Sequence, residues 1–262
     1  MALPDEDSLR WIVSSYAHLR SGHAEAIGDP AVVQPSGAFF PDEFRVDRAS
    51  VDRLLRRMVS YAPISDELGI ELAFVEPDEG HAGGCGSPAC GSGTPSALPA
   101  HGVRELDDGY RIFLAASAVA LPDMLAASLS RSVGSLVLYE ADEPVDARAS
   151  ELAAVACGFG VLVANGAAVW AKSCGGLKMN RATALGVEEA AVALALFAAV
   201  HDKTTSEARR FLRTTQRAAF DEAVDWVDSN PAIVEGLRLR PVMLETGAFD
   251  VEPVRGPIGR WH

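Results

Sequence analysis

The chain has 262 residues, of which 48% are hydrophobic, and its formal net charge is −13. This size and apolar content suit one domain over residues 1–262 with a buried core. The acidic balance argues against nucleic acid as a partner. The start, MALPDEDSLR, lacks the apolar run of a signal peptide, and the most apolar window, 153–164, is shorter than the ~20 residues that span a bilayer. With only four cysteines, these features predict a cytoplasmic protein with no membrane partner.

The first half of the chain predicts two helices and a small sheet. Residues 8–21 and 47–61 have the apolar periodicity of amphipathic helices, and Asp47 or Ser50 suits the N-cap of the second. Residues 69–75 and 110–114 read as strands, and 102–105 is expected to pair with the latter through an Asp-Asp-Gly turn. Residues 76–100, rich in Gly, Pro and Ser, predict a flexible loop.

The second half is mainly helical. Residues 167–186 read as irregular, and 240–262 as an extended tail. Helices are expected at 124–140, 149–165, 187–201, about 205–214, 216–227 (continuing or restarting the previous one) and 232–237. The sum predicts an α+β fold, in which a small antiparallel sheet packs on a mainly helical core.

Two consecutive central helices organise this expectation. The first, MLAASLSRSVGSLVLYE, has one apolar face and one polar stripe; the stripe consists of Ser128, Arg131, Ser132, Ser135 and Tyr139. The second, ASELAAVACGFGVLVAN, is apolar on almost every face and therefore belongs inside the core. Its Gly158-Phe159-Gly160 segment is expected to allow close helix packing rather than to contact a ligand.

Three phrases of this region, SLSRSVGSLVL, ELAAVACGFGVLVAN and TALGVEEAAVALALF, carry a resemblance. The stretch of about 122–212 resembles a group of bacterial zincin-like proteins with an HExxH motif. That resemblance implies a zincin-like core. In such a core the two motif histidines lie one turn apart and hold zinc, the glutamate activates water, and a later helix supplies the third ligand.

The metal motif is degenerate in this chain. On the family pattern, Arg131 takes the first His position, Ser132 the Glu position, Ser135 the second His position and Glu151 the third-ligand position. Arginine stays protonated and serine is a poor zinc ligand, so neither a metal nor another cofactor is expected. The resemblance then implies a pseudo-metallopeptidase. Arg131 is predicted to occupy the place of the cation and pair with Glu151; the alternative is an exposed arginine on an ordinary helix.

Such a protein is expected to bind a protein or peptide in a groove beside the polar stripe. Alternatively it acts as a component of an assembly, which could be a homo-oligomer of this chain. Other site templates are absent from the sequence, namely the phosphate-binding GxxxxGK[ST] loop, the dinucleotide GxGxxG turn and the GxSxG elbow.

The cysteines offer two weaker alternatives. Cys85 and Cys90, in CGSPACGSG, suit plain loop thiols, a disulfide or half of a metal site, and no matching second pair follows. Cys174, in KSCGG, suits either a tight turn or a nucleophile. A thiol-dependent enzyme would use Cys174 with His201 as its base.

Basic residues gather between Lys172 and Arg217 in this acidic chain. Arg209, Arg213 and Arg217 are four residues apart, so they would share one face of a continuous helix. This face reads either as an ordinary solvated surface or as a surface by which a structural subunit docks on an anionic partner.

Overall fold

The structure is a computed structural model that describes residues 3–65, 67–75, 102–173 and 176–254. The expectations for the loop 76–100, with Cys85 and Cys90, and for Cys174 fall outside the described residues. The helices are α1 (Glu6–Ile27), α2 (Arg48–Val59), α3 (Pro122–Glu140), α4 (Ala147–Ala154), α5 (Gly160–Gly166), α6 (Val187–Val200), α7 (Thr205–Arg209), α8 (Thr214–Ser229) and α9 (Pro231–Leu239). The strands are β1 (Gly69–Val75), β2 (Gly102–Leu106), β3 (Gly109–Ala115), β4 (Val169–Ser173) and β5 (Gly176–Asn180).

The α+β class is confirmed, with one difference in the sheet. β2 and β3 form the expected antiparallel hairpin, with Val103 opposite Ile112. β1, however, lies parallel to β3, with Leu72 opposite Ile112, so the three-stranded sheet has the order β1-β3-β2 and is mixed. Alternation of apolar residues identifies a strand but does not encode its direction relative to a partner that is distant in sequence.

Helix starts follow the residues that can cap them. The side chain of Asp47 accepts a hydrogen bond from the amide of Ser50 at 2.7 Å, which confirms the predicted N-cap of α2. Asp5 caps α1 in the same way, through the amide of Ser8 at 2.8 Å. Asp146 caps α4 by accepting from the amides of Arg148 and Ala149. Each carboxylate satisfies amides that the first helical turn leaves without a carbonyl partner.

One continuous cluster of buried apolar residues extends from Leu9 to Leu244. At its centre α3 packs against α4 and α5, and α6 packs against α5 and α8. The second central helix is therefore buried, as its composition predicted. One 20-residue stretch, Ala147–Gly166, is long and apolar enough to cross a membrane, and 83% of its most apolar window is buried inside the protein. Its apolar faces are thus occupied by core packing.

The second central helix is not continuous, because a π-helical turn, Val155–Phe159, separates α4 from α5. Within this turn Gly158 has a φ of 94°, a conformation that favours glycine. A Cβ at Gly158 would lie 2.0 Å from the carbonyl oxygen of Ala31. The backbone carbonyl of Gly158 accepts a hydrogen bond from the amide of Val33 at 3.0 Å. Gly160 faces the side chain of Leu194. The expected packing role of these glycines is therefore confirmed.

Two segments differ from expectation. The stretch predicted as irregular contains the antiparallel β4–β5 hairpin, in which Trp170 lies opposite Met179. The tail after residue 239 is not simply extended, since Pro241–Leu244 forms a 3₁₀ turn against α1. Further along the tail, the backbone carbonyls of Gly247 and Phe249 accept hydrogen bonds from the guanidinium of Arg10. The difference in the tail arises from contacts with α1, which is far away in the sequence.

Candidate functional site

The polar stripe of α3 does not border an open groove. Ser128, Ser132 and Ser135 are all buried, because α4 lies directly across this face. The approach is close enough that a Cβ at Gly134 would lie 1.9 Å from the carbonyl oxygen of Ser150. The expectation of a peptide groove beside the stripe is therefore wrong. A polar stripe at helical spacing looks the same in sequence whether water or another helix covers it.

Arg131 and Glu151 are brought together at this helix contact. The Nη1 atom of Arg131 lies 3.6 Å from Oε1 of Glu151, and the Glu151 side chain is fully buried while that of Arg131 is 16% exposed. The predicted pairing is confirmed, and the alternative of an exposed arginine on an ordinary helix is not. Buried charges of this kind persist only when they are paired and hydrogen-bonded.

The Glu151 carboxylate is held mainly by backbone amides. Ala184 donates to both of its oxygens, at 2.7 and 3.0 Å, and Leu185 donates to Oε2 at 2.8 Å. Burial raises the pKa of Glu151, and the amides of Leu185 and Ala184 and the charge of Arg131 oppose that rise. The segment before α6 thus stabilises the buried carboxylate with three backbone hydrogen bonds.

The Arg131 guanidinium is less completely satisfied. Nη1 donates to the carbonyl of Ala182 at 3.3 Å, while Nη2 is buried and has no partner among the described residues. Burial lowers the pKa of Arg131, and Glu151 counters this shift. One nitrogen of this largely buried guanidinium is thus left without a hydrogen bond.

The two serines of the degenerate motif have structural contacts only. Ser135 donates to the hydroxyl of Ser150 at 2.9 Å, next to Glu151, and Ser150 donates to the carbonyl of Asp146. Ser132 donates to the carbonyl of Ser128 in its own helix. Within residues 3–65, 67–75, 102–173 and 176–254, no group of three or more His, Cys, Asp or Glu side chains could hold a metal ion.

His201, the base in the thiol-enzyme alternative, lies at the C-terminal end of α6, and its side chain is buried. Its side chain is 5% exposed, with Nδ1 at 3.6 Å from Asp29 and the ring stacked on Phe197. Burial and, after it, the charge of Arg20 lower the pKa of His201 to about 4. Among the described cysteines Cys157 is buried, and burial raises its pKa to about 12, so it is not a reactive thiol. Neither group has the accessibility that nucleophilic catalysis requires.

The three arginines of the basic surface do not share a helical face. α7 ends at Arg209, and α8 restarts at Thr214, so Arg213 is a cap residue and only Arg217 lies within α8. Arg209 forms a two-point ion pair with Asp221, and Arg213 forms another with Asp123. Two of the three charges are paired within the protein, and the single helical face expected from a continuous helix is not formed.

A cavity of about 450 Å³ opens beside the N-terminal end of α3, and we call it the α2–α3 cavity. Its residues come from the loop before α2, from α2, from the start of α3 and from α5. Buried floor residues are Met58, Leu125, Leu162 and Asn165, and exposed rim residues are Asp42, Glu43, Phe44 and Arg53. This volume is in the range of small-ligand sites. No periodicity signals it, because it is assembled from four separate elements.

A second cluster joins α1 to the α3–α4 loop and the tail. Nε2 of His18 lies 3.0 Å from Oε2 of Glu143, and Nε2 of His23 lies 3.3 Å from its Oε1. Glu245 faces the other ring nitrogen of His18 at 3.7 Å. The hydrogen bond with Glu143 raises the pKa of His18, and the same bond lowers the pKa of Glu143.

This cluster predicts a pH-dependent contribution to stability. The His18 contribution is complete below its ordinary pKa of 6.5 and is lost as the pH rises through the raised folded value. The Glu143 contribution is complete above 4.5 and is lost as the pH falls through the lowered folded value. Both groups are charged between those limits. His18→Gln should therefore lower the free energy of unfolding at pH 5.5, by less than about 1 kcal/mol because the pair is partly exposed.

The measurement is urea unfolding of wild type and His18→Gln at pH 5.5 and pH 8.5. The difference between the two proteins should shrink at pH 8.5, because the charge of His18 is lost as the pH rises through its raised folded pKa. An equal difference at both pH values would show that His18 contributes packing rather than charge.

No known protein family, curated protein or solved structure matches this chain. The functional conclusion therefore depends on the geometry of the residues themselves.

Proposed function

We propose that this chain is a non-catalytic zincin-like protein that acts by binding a peptide or protein partner in the cytoplasm. The observation that supports the proposal most directly is the buried Arg131–Glu151 pair, at 3.6 Å. A permanently protonated guanidinium lies where the resemblance expects a zinc ligand, and guanidinium cannot donate a lone pair to a metal.

The donor set around Glu151 does not fit zinc. Its two oxygens accept three backbone hydrogen bonds from Ala184 and Leu185, so the carboxylate is already stabilised without a metal ion. A zinc site needs at least three convergent N, O or S ligands, and serine hydroxyls at positions 132 and 135 supply none of the usual kind. We therefore derive no metal-dependent step.

The burial of the residues around Glu151 also supports a binding site elsewhere on the protein. Ser132 and Ser135 are 5% and 6% exposed and Glu151 is fully buried, so a substrate has no path to them. The α2–α3 cavity is the feature that suits a bound peptide, since it has a buried apolar floor and an exposed rim. Such a combination of an apolar pocket and a few polar groups is typical of ligand sites.

Metal analysis of the purified chain tests the proposal. Cys85→Ser/Cys90→Ser should be analysed beside wild type, because those two thiols could bind zinc independently of the α3 helix. We expect less than one tenth of an equivalent of zinc in the double variant after dialysis against zinc and then buffer. A stoichiometric zinc ion in that variant would contradict the proposal.

A further inference from the structure

The α2–α3 cavity contains one cation that lacks an acidic partner. Each acidic side chain of the lining pairs with a different arginine, since Asp42 lies 3.4 Å from Arg57, Glu43 lies 3.4 Å from Arg45, and Asp123 lies 2.9 Å from Arg213. Within the described parts of the chain, Arg53 has no carboxylate at ion-pair distance. Its charge is the one that an incoming anion could pair with.

The Arg53 guanidinium also has hydrogen-bonding capacity to spare. Its Nη2 donates to the hydroxyl of Ser50 at 2.9 Å and approaches the carbonyl of Glu43 at 3.5 Å, and these two contacts fix the side chain on the rim. Nη1 and Nε make no hydrogen bond to the described residues. Because a guanidinium presents its donors as a planar fork, the free edge suits the two oxygens of a carboxylate. Asp47, which caps α2, also interacts electrostatically with Arg53, but its carboxylate oxygen accepts a hydrogen bond from the amide of Ser50.

The loop wall of the cavity offers a second unpaired group. The hydroxyl oxygen of Ser36 is buried and has no partner among the described residues. By contrast the polar floor residue, Asn165, is fully engaged, because its amide donates to the carbonyl of Phe211 and its oxygen accepts from the amide of Arg213. The remaining floor is apolar. The cavity therefore combines an apolar interior with polar capacity at Arg53 and Ser36.

We propose that the α2–α3 cavity binds the C-terminal residue of a peptide, with an apolar side chain on the floor and the free carboxylate on Arg53. The assignment of a peptide rests on the proposed binding function. Among the described lining residues Arg53 is the one cation without a carboxylate partner, so the preferred peptide carries no further acidic side chain near its end. A charge-assisted bidentate pair at a partly desolvated rim then supplies the recognition of the terminus.

Fluorescence anisotropy with an N-terminally labelled hexapeptide ending in Leu-Phe tests this assignment. We expect the free acid to bind about 10-fold to 100-fold more tightly than the same peptide with a C-terminal amide, as hydrogen bonds to charged groups imply. Arg53→Gln should remove that difference. Phe44→Ala, at a wall residue that is 42% exposed, should weaken both peptides by about 5-fold through lost apolar contact.

Matched controls come from the same segments. Arg56→Gln removes an exposed arginine of α2 that pairs with Asp52 and does not line the cavity. Val46→Ala removes a 72% exposed apolar residue close to Phe44 in sequence and also outside the lining. Neither control should change binding. All four substituted side chains are exposed or largely so, and circular dichroism of each variant checks that it is folded.

Three results would overturn the assignment. One is equal binding of the acid and the amide, or no binding of either. The second is full affinity in Arg53→Gln. The third is displacement of the peptide by decanoate at a lower concentration than by the unlabelled peptide, which would identify a small apolar carboxylate as the occupant. Each is distinguishable from failure of the proposed non-catalytic role, since that role is tested by zinc content, not by peptide affinity.

Discussion

Replacing Glu151 with Gln is expected to lower the free energy of unfolding by about 3 kcal/mol, because it leaves the buried Arg131 charge without its counter-ion. For a chain of this length such a loss corresponds to a decrease in Tm of about 6–12 °C. The substituted amide keeps one acceptor oxygen for the backbone amides of Ala184 and Leu185, so the loss combines the missing charge with one lost hydrogen bond. Chemical denaturation at pH 7 measures it.

A double-mutant cycle separates the pair from its surroundings. Arg131→Met alone should cost about 2 kcal/mol, because it leaves the Glu151 carboxylate buried with only its backbone donors. Arg131→Met/Glu151→Gln should cost less than about 1.5 kcal/mol, since no net charge then remains and the unpartnered Nη2 group of Arg131 is also removed. Strictly additive losses would show that the two side chains are not coupled.

The matched control is an exposed ion pair of similar chemistry. Arg209 and Asp221 lie 2.7 Å apart, and their side chains are 51% and 45% exposed. Asp221→Asn should cost no more than about 1 kcal/mol, because water screens this pair and solvates the arginine left behind. A loss as large as that of Glu151→Gln would contradict the importance given to burial.

Restoring the motif should restore a metal site. The triple substitution Arg131→His/Ser132→Glu/Ser135→His is expected to convert a chain that binds no zinc at this helix into one that binds a single ion with a Kd below about 1 µM. The geometry supports this, because Arg131 contacts Glu151, and Ser135 contacts Ser150, the residue that precedes Glu151. Two imidazoles one turn apart would then face the Glu151 carboxylate, which is the arrangement of three protein ligands around zinc.

Isothermal titration with zinc measures the effect, in a background of Cys85→Ser/Cys90→Ser that removes the loop thiols. Adding Glu151→Gln to the triple variant should weaken zinc binding by at least about 10-fold, since it removes the charged third ligand. Thermal unfolding must confirm that each variant is folded, because imidazoles are larger than the buried serine at 135. A folded triple variant that binds no zinc would contradict the zincin-like interpretation of α3 and α4.

Arg131 and the serines of the polar stripe differ in how well their surroundings could be predicted from the sequence. The pairing of Arg131 with Glu151 was predicted from the resemblance, with an exposed arginine as the alternative, because a buried charge needs a partner. The same pattern gave the wrong environment for Ser132 and Ser135, which were expected beside a groove. A serine such as Ser132 can donate its hydroxyl to the helix carbonyl one turn back, so it is tolerated equally in water and in a helix interface.

The basic surface and the candidate cavity illustrate a second limit. Arg209, Arg213 and Arg217 have helical spacing, but the break between α7 and α8 separates them. Asp221 on the next helix pairs with Arg209, and the distant Asp123 pairs with Arg213. The lining of the α2–α3 cavity likewise comes from segments separated by more than 100 residues. Which ion pairs form, and which arginine is left over, depends on distances that the sequence does not contain.

The sequence by itself determined the α+β class, the N-cap of α2 and the burial of the second central helix. These features follow from local periodicity and from the chemistry of single side chains. Only the tertiary structure decided that β1 runs parallel to β3, that α4 covers the polar stripe, and that the backbone amides of Ala184 and Leu185 hold Glu151. The physical reason is that each depends on close approach between segments distant in the chain. At Gly134, for example, the absence of a side chain permits the approach of α4, but nothing local specifies which helix will come.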